Sequence, residues 1–145
     1  MTPKIRYKMK TTDKLKPGLK GEKSIIVAEE HTAPHVGSGV VPVLATPVMV
    51  NLLEAAALAA VEKFLPDGYQ TLGTVLNVKH FAATPVGLEV RAFAELSAID
   101  GRTLVFALSA EDEMETIGEG SHQRVIVNVE RFEQRVKKKK TESAA

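Results

Sequence analysis

The chain has 145 residues, of which 44% are apolar and 26% charged, and it contains neither Cys nor Trp. This composition suits one globular domain and excludes a disordered chain, a disulfide scaffold, a thiol nucleophile and a thiolate metal site. The formal net charge of +1 conceals a split, because residues 1–23 carry +6, residues 24–130 carry −9 and residues 131–145 carry +4. The sequence therefore predicts an acidic body with two basic ends.

The charge pattern suggests three regions: a basic N-terminal arm over residues 1–21, a globular domain over 22–132 and a basic C-terminal tail over 133–145. The arm lacks the apolar stretch of a secretory signal, so we expect a cytoplasmic protein. Charge runs such as Lys137–Lys140 are usually solvated. The simplest interpretation is therefore that both basic ends keep the protein soluble. The alternative is that their lysines meet a phosphorylated ligand.

The first third of the domain has few regular elements. A β-branched run from Ser24 to Val27 predicts a strand that ends near Glu30. Residues 31–45 are rich in Gly and Pro and predict a loop or a broken strand. Residues 32–53 carry no charge, as a membrane span would, but five helix breakers argue against one: Pro34, Gly37, Gly39, Pro42 and Pro47.

A helix is predicted from Pro47 to Val61, with Thr46 as its N-cap and Gly68 ending the segment. Between Pro47 and Val61 only Asn51 and Glu54 are polar. A helix that is apolar nearly all round is buried on most sides.

The rest of the domain predicts four strands with short connections. Alternation puts Val90 and Leu96 on one face of a strand, Leu104 and Phe106 on one face of the next, and Val125 on one face of the last. The predicted elements are strands at Tyr69–Phe81, Leu88–Ile99, Arg102–Ala110 and Ile117–Phe132, and turns at Thr84–Gly87, Asp100-Gly101 and Glu111–Glu115.

This order predicts an α+β fold, because so apolar a helix needs a sheet curved around it, or a sheet on one side and a second subunit on the other. A long central helix wrapped by a curved antiparallel sheet of about five strands is the hotdog fold.

Three residues stand out chemically. Glu54 interrupts an apolar helix, and a desolvated carboxylate costs several kcal/mol without a partner, so it must reach water, a cation or a site. As a functional group it would be a general base or a nucleophile; otherwise it faces solvent or pairs at an interface. Thr46 is eight residues earlier and could hold a carbonyl or a water at the helix start. His80 could transfer protons, or simply lie on the sheet surface.

The other histidines carry less information. His31 and His35 have the spacing of metal ligands on a helix, but Pro34 argues against a helix there and no ligand set completes a site, so no metal site is predicted. His122 alternates with Arg124 on the last strand and would ordinarily make a structural hydrogen bond. The chain has no nucleophile elbow, phosphate loop or dinucleotide fingerprint.

Three segments together resemble the fluoroacetyl-CoA thioesterase family of hotdog enzymes. They are Ala45–Glu54 (ATPVMVNLLE), Gly73–Pro85 (GTVLNVKHFAATP) and Ile117–Arg124 (IGEGSHQR), within a likeness that runs from about Ser24 to Phe132. The most specific part is a Thr, a Glu eight residues later, and a His before Ala-Ala-Thr-Pro.

The resemblance implies hydrolysis of an acyl-CoA thioester by a homodimer or a dimer of dimers, with sites at the subunit interface. Thr46, Glu54 and His80 match the catalytic residues of the family, and we expect Gly73, Arg124 and His122 to line the substrate site. No cofactor is expected beyond the CoA of the substrate, no membrane is involved, and the acidic body disfavours nucleic acid.

One departure from the family bears on the substrate. An aromatic-rich lid precedes the catalytic Thr in the fluoroacetyl enzyme, whereas Val36–Leu44 contains no aromatic residue. We therefore expect a short or medium acyl-CoA rather than recognition of a C–F bond. The alternative is a non-catalytic protein of the same fold that binds acyl-CoA or another small ligand.

Overall fold

The computed structural model describes residues 14–144, in which five strands form one antiparallel sheet and the longest apolar helix packs on it. Strand β1 is Lys20–Ile26, β2 is Tyr69–His80, β3 is Glu89–Asp100, β4 is Thr103–Asp112 and β5 is Thr116–Asn128. Helix α1 is Ala33–Val36, α2 is Thr46–Val61 and α3 is Val129–Ser143, with 3-10 turns at Glu29–His31 and Glu62–Phe64.

The strand order is β1-β3-β4-β5-β2, which leaves β1 and β2 at the two edges. A two-residue turn joins β3 to β4, with Asp100 paired to Thr103 and Gly101 at a φ of 61°. That positive φ is why a glycine stands at the turn. The predicted hairpin is thus confirmed, one residue later than Asp100-Gly101.

The core lies between the sheet and the central helix α2. Met49 and Leu53 of α2 are fully buried, as are Leu96 of β3 and Phe106 of β4. The inward alternation predicted for these two strands is confirmed, and the fold is the predicted α+β hotdog arrangement. At the β1 edge the helix comes very close, because a Cβ on Gly21 would collide with the backbone of Ala56.

Strand β5 alternates as predicted, and the structure shows which of its faces lies inward. In its second half the buried positions are His122, Arg124 and Ile126, whereas Val125 and Val127 are only half-buried on the outer face. The apolar-inward rule fails because the inner face holds two polar side chains that satisfy one another, and the outer valines lie beside helix α3.

The ends of the domain also differ from the predicted boundaries. Strand β5 stops at Asn128, whose side chain caps α3 by accepting a hydrogen bond from the Arg131 amide at 3.0 Å, so most of the predicted tail over 133–145 is helical. Within the predicted arm, Leu15 is buried and the Gly18 amide bonds the Leu96 carbonyl at 2.8 Å. Residues 1–13 of the arm lie outside the described residues.

Residues 31–45 contain the short helix α1 despite Pro34. The proline occupies the first turn, where a missing N–H costs nothing, and Gly37 ends the helix with a φ of 83°. In residues 14–144, no helix is both long and apolar enough to cross a membrane.

Candidate active site

Thr46 and His80 are joined by a hydrogen bond. Their Oγ1 and Nδ1 atoms lie 2.7 Å apart, although 34 residues separate them in sequence. The N-cap of α2 is Ala45, and Thr46 is the first residue of the helix without capping it, so the predicted capping role is wrong. The hydroxyl is instead directed at the histidine that ends β2, which lies beside the start of the helix.

This pair opens into a cavity of about 370 Å³. The walls include Ser38, Gly39, Val40 and Val41 from the segment that precedes α2. Val40 is 91% exposed, so this wall has little protein packed on its outer side. The lining is therefore aliphatic on one side and carries the Thr46–His80 pair on the other.

His80 has one ring nitrogen engaged and one unsatisfied. Its Nε2 is buried and has no hydrogen-bond partner among the residues that the structure describes. Burial is the main cause of the lowered pKa of His80. A buried polar atom without a partner is uncommon, and here it marks a position where a ligand or a second chain can bind.

Glu54 belongs to a second group, further along α2. Its carboxylate Oε2 lies 3.6 Å from Nη1 of Arg124, and its side chain is 35% exposed against 8% for the arginine. Arg124 is therefore the cationic partner that the Glu54 carboxylate, on an otherwise apolar helix, was expected to need. The remaining exposure leaves the carboxylate open to water or substrate.

Arg124 is held rigidly from the opposite side. Its Nε donates to Thr71 Oγ1 at 2.8 Å and its Nη2 donates to the Thr71 carbonyl at 3.0 Å. Its Nη1 lies 3.1 Å from His122 Nε2. His122 Nδ1 lies 2.8 Å from the Val75 carbonyl, which can only accept. These contacts fit a neutral His122 with the proton on Nδ1 and the lone pair on Nε2 turned to Arg124.

The electrostatics favour that neutral form. Burial lowers the pKa of His122, and the charge of Arg124 lowers it further, against the backbone bond to Val75 and the charge of Glu54. Burial also lowers the pKa of Arg124, and Glu54 raises it. Arg124 is cationic at any physiological pH, so the network carries one positive charge that faces Glu54.

Gly73 leaves the space that Glu54 occupies. A Cβ at this position would stand 2.6 Å from Glu54 Oε2 and 3.1 Å from His122 Cε1. The sheet register shifts between Gly73 and Val75, so the strand is irregular beside the carboxylate. The absence of a side chain therefore allows Glu54 to lie against the sheet next to Arg124.

The predicted residues thus form two groups within one chain. Thr46 and His80 make one, and Glu54 joins Gly73, His122 and Arg124 in the other. Glu54 lies eight residues after Thr46 in the helix, a rise of about 12 Å. Sequence reasoning missed Thr71, whose only signal is its place two residues before Gly73 on the same strand face.

The predicted absence of a metal site at His31 and His35 remains an expectation. Within residues 14–144, no group of three His, Cys, Asp or Glu side chains could hold a metal ion. His31 has a structural contact, since its Nδ1 accepts a hydrogen bond from the Ala28 amide at 2.9 Å.

Comparison with known proteins identifies the family. The family described as fluoroacetyl-CoA-specific thioesterase matches residues 27–130, most of the chain. This chain belongs to that family. The fluoroacetyl-CoA thioesterase of Streptantibioticus cattleyicolor is 42% identical to it over 97 residues, which are 67% of this chain and 70% of that protein. Family membership confirms the prediction of an acyl-CoA thioesterase.

Solved structures of the fluoroacetyl-CoA-specific thioesterase agree with the fold. One superposes with a TM-score of 0.82 and 34% identity, over 88% of this chain and 98% of that one. A variant of the same enzyme with fluoroacetate and CoA gives a TM-score of 0.77 and 35% identity, over 81% and 99%. A Thermus thermophilus thioesterase-superfamily protein, 24% identical with a TM-score of 0.85 over 92% and 98%, supports the fold alone.

Proposed function

We propose that this chain hydrolyses the CoA thioester of a short or medium acyl group to the free acid and CoA, in a site completed by a second copy of the chain. The observation that carries the proposal is the 2.7 Å bond between Thr46 Oγ1 and His80 Nδ1 in an open cavity. It places a hydroxyl and a titratable ring where an acyl group can enter. Membership of a thioesterase family supports the reaction class.

The chemistry requires an attacking oxygen and a protonated thiol. A water oxygen bonds to the acyl carbon, the C–S bond breaks, and the sulfur leaves with a proton. His80 has a lowered pKa through burial, so its ring is neutral at neutral pH and can take up a proton and return it to the sulfur. Thr46 orients the oxygen that attacks or the carbonyl that is attacked, from the start of α2.

Glu54 provides the missing base. No Asp or Glu of residues 14–144 lines the Thr46–His80 cavity, and Glu54 of the same chain lies more than two helical turns away. We assign this role to Glu54 of the partner subunit. Such a site would contain Thr46 and His80 from one chain and Glu54, with its Arg124 network, from the other.

Two exposed surfaces support a homodimer. Strand β2 is a 12-residue sheet edge on which Val75 and Leu76 are 44% and 43% exposed. Long edges of this kind pair with another strand or are protected from doing so. Beside it, α2 leaves Asn51 exposed and Val50, Glu54, Ala55 and Leu58 half-buried. A second α2 would cover this largely apolar face.

Glu54 has two possible roles that one experiment distinguishes. As general base it deprotonates a water; as nucleophile it forms a mixed anhydride that water then opens. A single turnover in ¹⁸O-labelled water separates a general base from an anhydride that water opens at the glutamyl carbon. A general base gives labelled acid in the first turnover, whereas attack of water on the glutamyl carbon of an anhydride leaves the label in the enzyme.

The cavity wall suggests an aliphatic acyl group. Val40 and Val41 line the cavity and both are largely exposed, so an acyl chain can pack against them. The proposal includes a cytoplasmic location, since CoA thioesters are intracellular metabolites. It involves no cofactor.

The decisive experiment is release of free thiol from a panel of CoA thioesters from acetyl to decanoyl, with fluoroacetyl-CoA included. Wild-type protein should prefer an unfluorinated aliphatic acyl group, and Glu54→Gln should lower kcat by about 10²-fold or more. Glu62→Gln, at an exposed position just after α2, is the matched control and should keep wild-type activity. A folded wild-type protein inert towards every thioester would contradict the proposal.

A further inference from the structure

A basic groove lies between helix α3 and the outer face of β5. It has a volume of about 710 Å³, within the range of small-molecule sites. Its floor includes Val125 and Val127, the two half-buried valines on the outer face of β5. Helix α3 forms one wall of the groove. Arg102, the residue just before β4, also lines it.

The charge of this basic groove has a single sign. Four of its lining residues are cationic, namely Arg102, Arg131, Arg135 and Lys138, and no Asp or Glu of residues 14–144 lines it. Lys138 also meets Glu142 at 3.9 Å, but both side chains are more than half exposed and such a pair is weak. The groove is therefore a local region of positive potential on a domain that is otherwise acidic.

The shape of the groove combines with that charge to select a ligand class. A guanidinium group can donate two parallel hydrogen bonds to the oxygens of one phosphate. An apolar floor can pack against a flat aromatic ring of the ligand. A small molecule with several phosphates and one aromatic base meets both requirements. We propose that this basic groove binds the phosphorylated adenosine end of the acyl-CoA substrate, which rests on the function proposed above.

The position of the groove suits that role. Arg124 and Val125 are consecutive on β5, so the Glu54–Arg124 group lies on the inner face of the strand that forms the groove's floor. The strand ends at Asn128, which pairs with Tyr69, the first residue of the edge strand β2. A ligand that passes this end of the sheet can place its thioester inside and its phosphates outside.

Single-stranded nucleic acid fits the groove less well. Such proteins stack bases on aromatic side chains. The one aromatic residue of α3, Phe132, does not line the groove, and the Arg135 guanidinium lies 5.9 Å from its ring centre. An anionic membrane would need a flat basic surface rather than a cavity.

Direct binding tests the proposal without turnover. Adenosine 3′,5′-bisphosphate is titrated into the full-length protein in a calorimeter at fixed ionic strength. The double variant Arg135→Gln/Lys138→Gln should bind it at least about tenfold more weakly than wild type, since each charge-assisted contact is worth roughly a factor of ten. The matched control Lys139→Gln/Lys140→Gln removes the same charge from the same helix outside the groove and should stay within about twofold.

Kinetics give the second measurement. The ratio of kcat/KM for an acyl-CoA to kcat/KM for the same acyl group on pantetheine should fall about tenfold in Arg135→Gln/Lys138→Gln and not in the control. Equal weakening in both double variants, or an unchanged ratio, would overturn the proposal. So would wild-type protein that binds a single-stranded oligonucleotide or phosphatidylserine vesicles but not the bisphosphate. A protein that binds the bisphosphate as expected and hydrolyses no thioester would overturn the proposed function and leave the groove standing.

Discussion

Arg124 is anchored twice to Thr71, through Nε to the hydroxyl at 2.8 Å and through Nη2 to the carbonyl at 3.0 Å. These two hydrogen bonds to a single residue fix the plane of the Arg124 guanidinium. They leave its Nη1 directed at Glu54 and His122. The orientation of the carboxylate therefore depends on a threonine that does not touch it. Thr71 is a positioning residue in the proposed reaction.

We expect Thr71→Val to lower kcat more than it raises KM, because it leaves Arg124 Nε without its acceptor and lets the guanidinium rotate away from Glu54. An unsatisfied buried donor also costs about 1–3 kcal/mol, visible as a lower free energy of unfolding in urea. Thr71→Ser keeps the hydroxyl and should restore kcat. Equal kcat in the Val and Ser variants would refute the positioning role.

Thr46→Val removes the hydroxyl from the His80 bond while nearly preserving side-chain volume. The hydrolysis rate should fall by about 10²-fold or more, because both the oriented oxygen and the histidine contact are lost. Thr46 is exposed, so stability should change by less than about 0.5 kcal/mol. Thiol release and thermal unfolding measure the two effects, and Thr46→Ser should recover most of the rate.

Two Gly→Ala substitutions should have opposite consequences. In Gly73→Ala the new methyl meets the end of the flexible Glu54 side chain, which can move, so the protein should fold and lose thioesterase activity. In Gly21→Ala the methyl meets the backbone of Ala56 in α2, which cannot move without displacing the helix. That variant should lose several kcal/mol of unfolding free energy or fail to fold. Circular dichroism with an activity assay distinguishes the two.

Acidification should destabilise the fold through its buried histidines. The pKa values of His80 and His122 are lowered by burial, so between the ordinary histidine pKa of about 6.5 and these lower values the unfolded chain binds more protons than the folded one. The free energy of unfolding therefore falls as pH decreases through this window and is retained above it.

His122→Gln should flatten that pH dependence, since glutamine keeps a donor for Val75 and an acceptor for Arg124 but does not titrate. Urea titrations at several pH values between 7.5 and 5 give the slope. His35→Gln, at an exposed position outside the network, controls for the loss of a histidine. A slope identical to wild type in His122→Gln would contradict the assignment.

A site shared between two chains should allow complementation. Glu54→Gln and His80→Ala homodimers are each expected to be inactive, but a heterodimer contains one site with both residues intact. Unfolding and refolding the two together at equal amounts should restore about a quarter of wild-type activity, because half of the dimers are mixed and each has one working site. No recovery in a sample that mass spectrometry shows to contain heterodimers would place Glu54 and His80 in the same chain's site.

Periodicity and breakers predicted most of the fold, because each strand of the β3–β4 hairpin has one face in the core and α2 is apolar almost throughout. At β5 they predicted the alternation but not which face lies inward, since Arg124 and His122 face inward and the valines face outward. Hydrophobic patterning assumes that polar residues seek water, and this pair instead finds its partners on β2. Residue-level reasoning identified Glu54 as anomalous, whereas the approach of Thr46 to His80 depends on tertiary structure and came only through a family resemblance.

The tight contact between β1 and α2 has a consequence at a distance. Gly21 and the small side chains of Ala56 and Ala60 let the helix sit almost directly on the sheet, and Glu54 belongs to the same rigid rod. The thickness of that layer therefore determines how far the carboxylate stands from Arg124. A larger side chain at this contact would change the distance between Glu54 and Arg124 and lower the rate of hydrolysis, although no residue that contacts the substrate is altered.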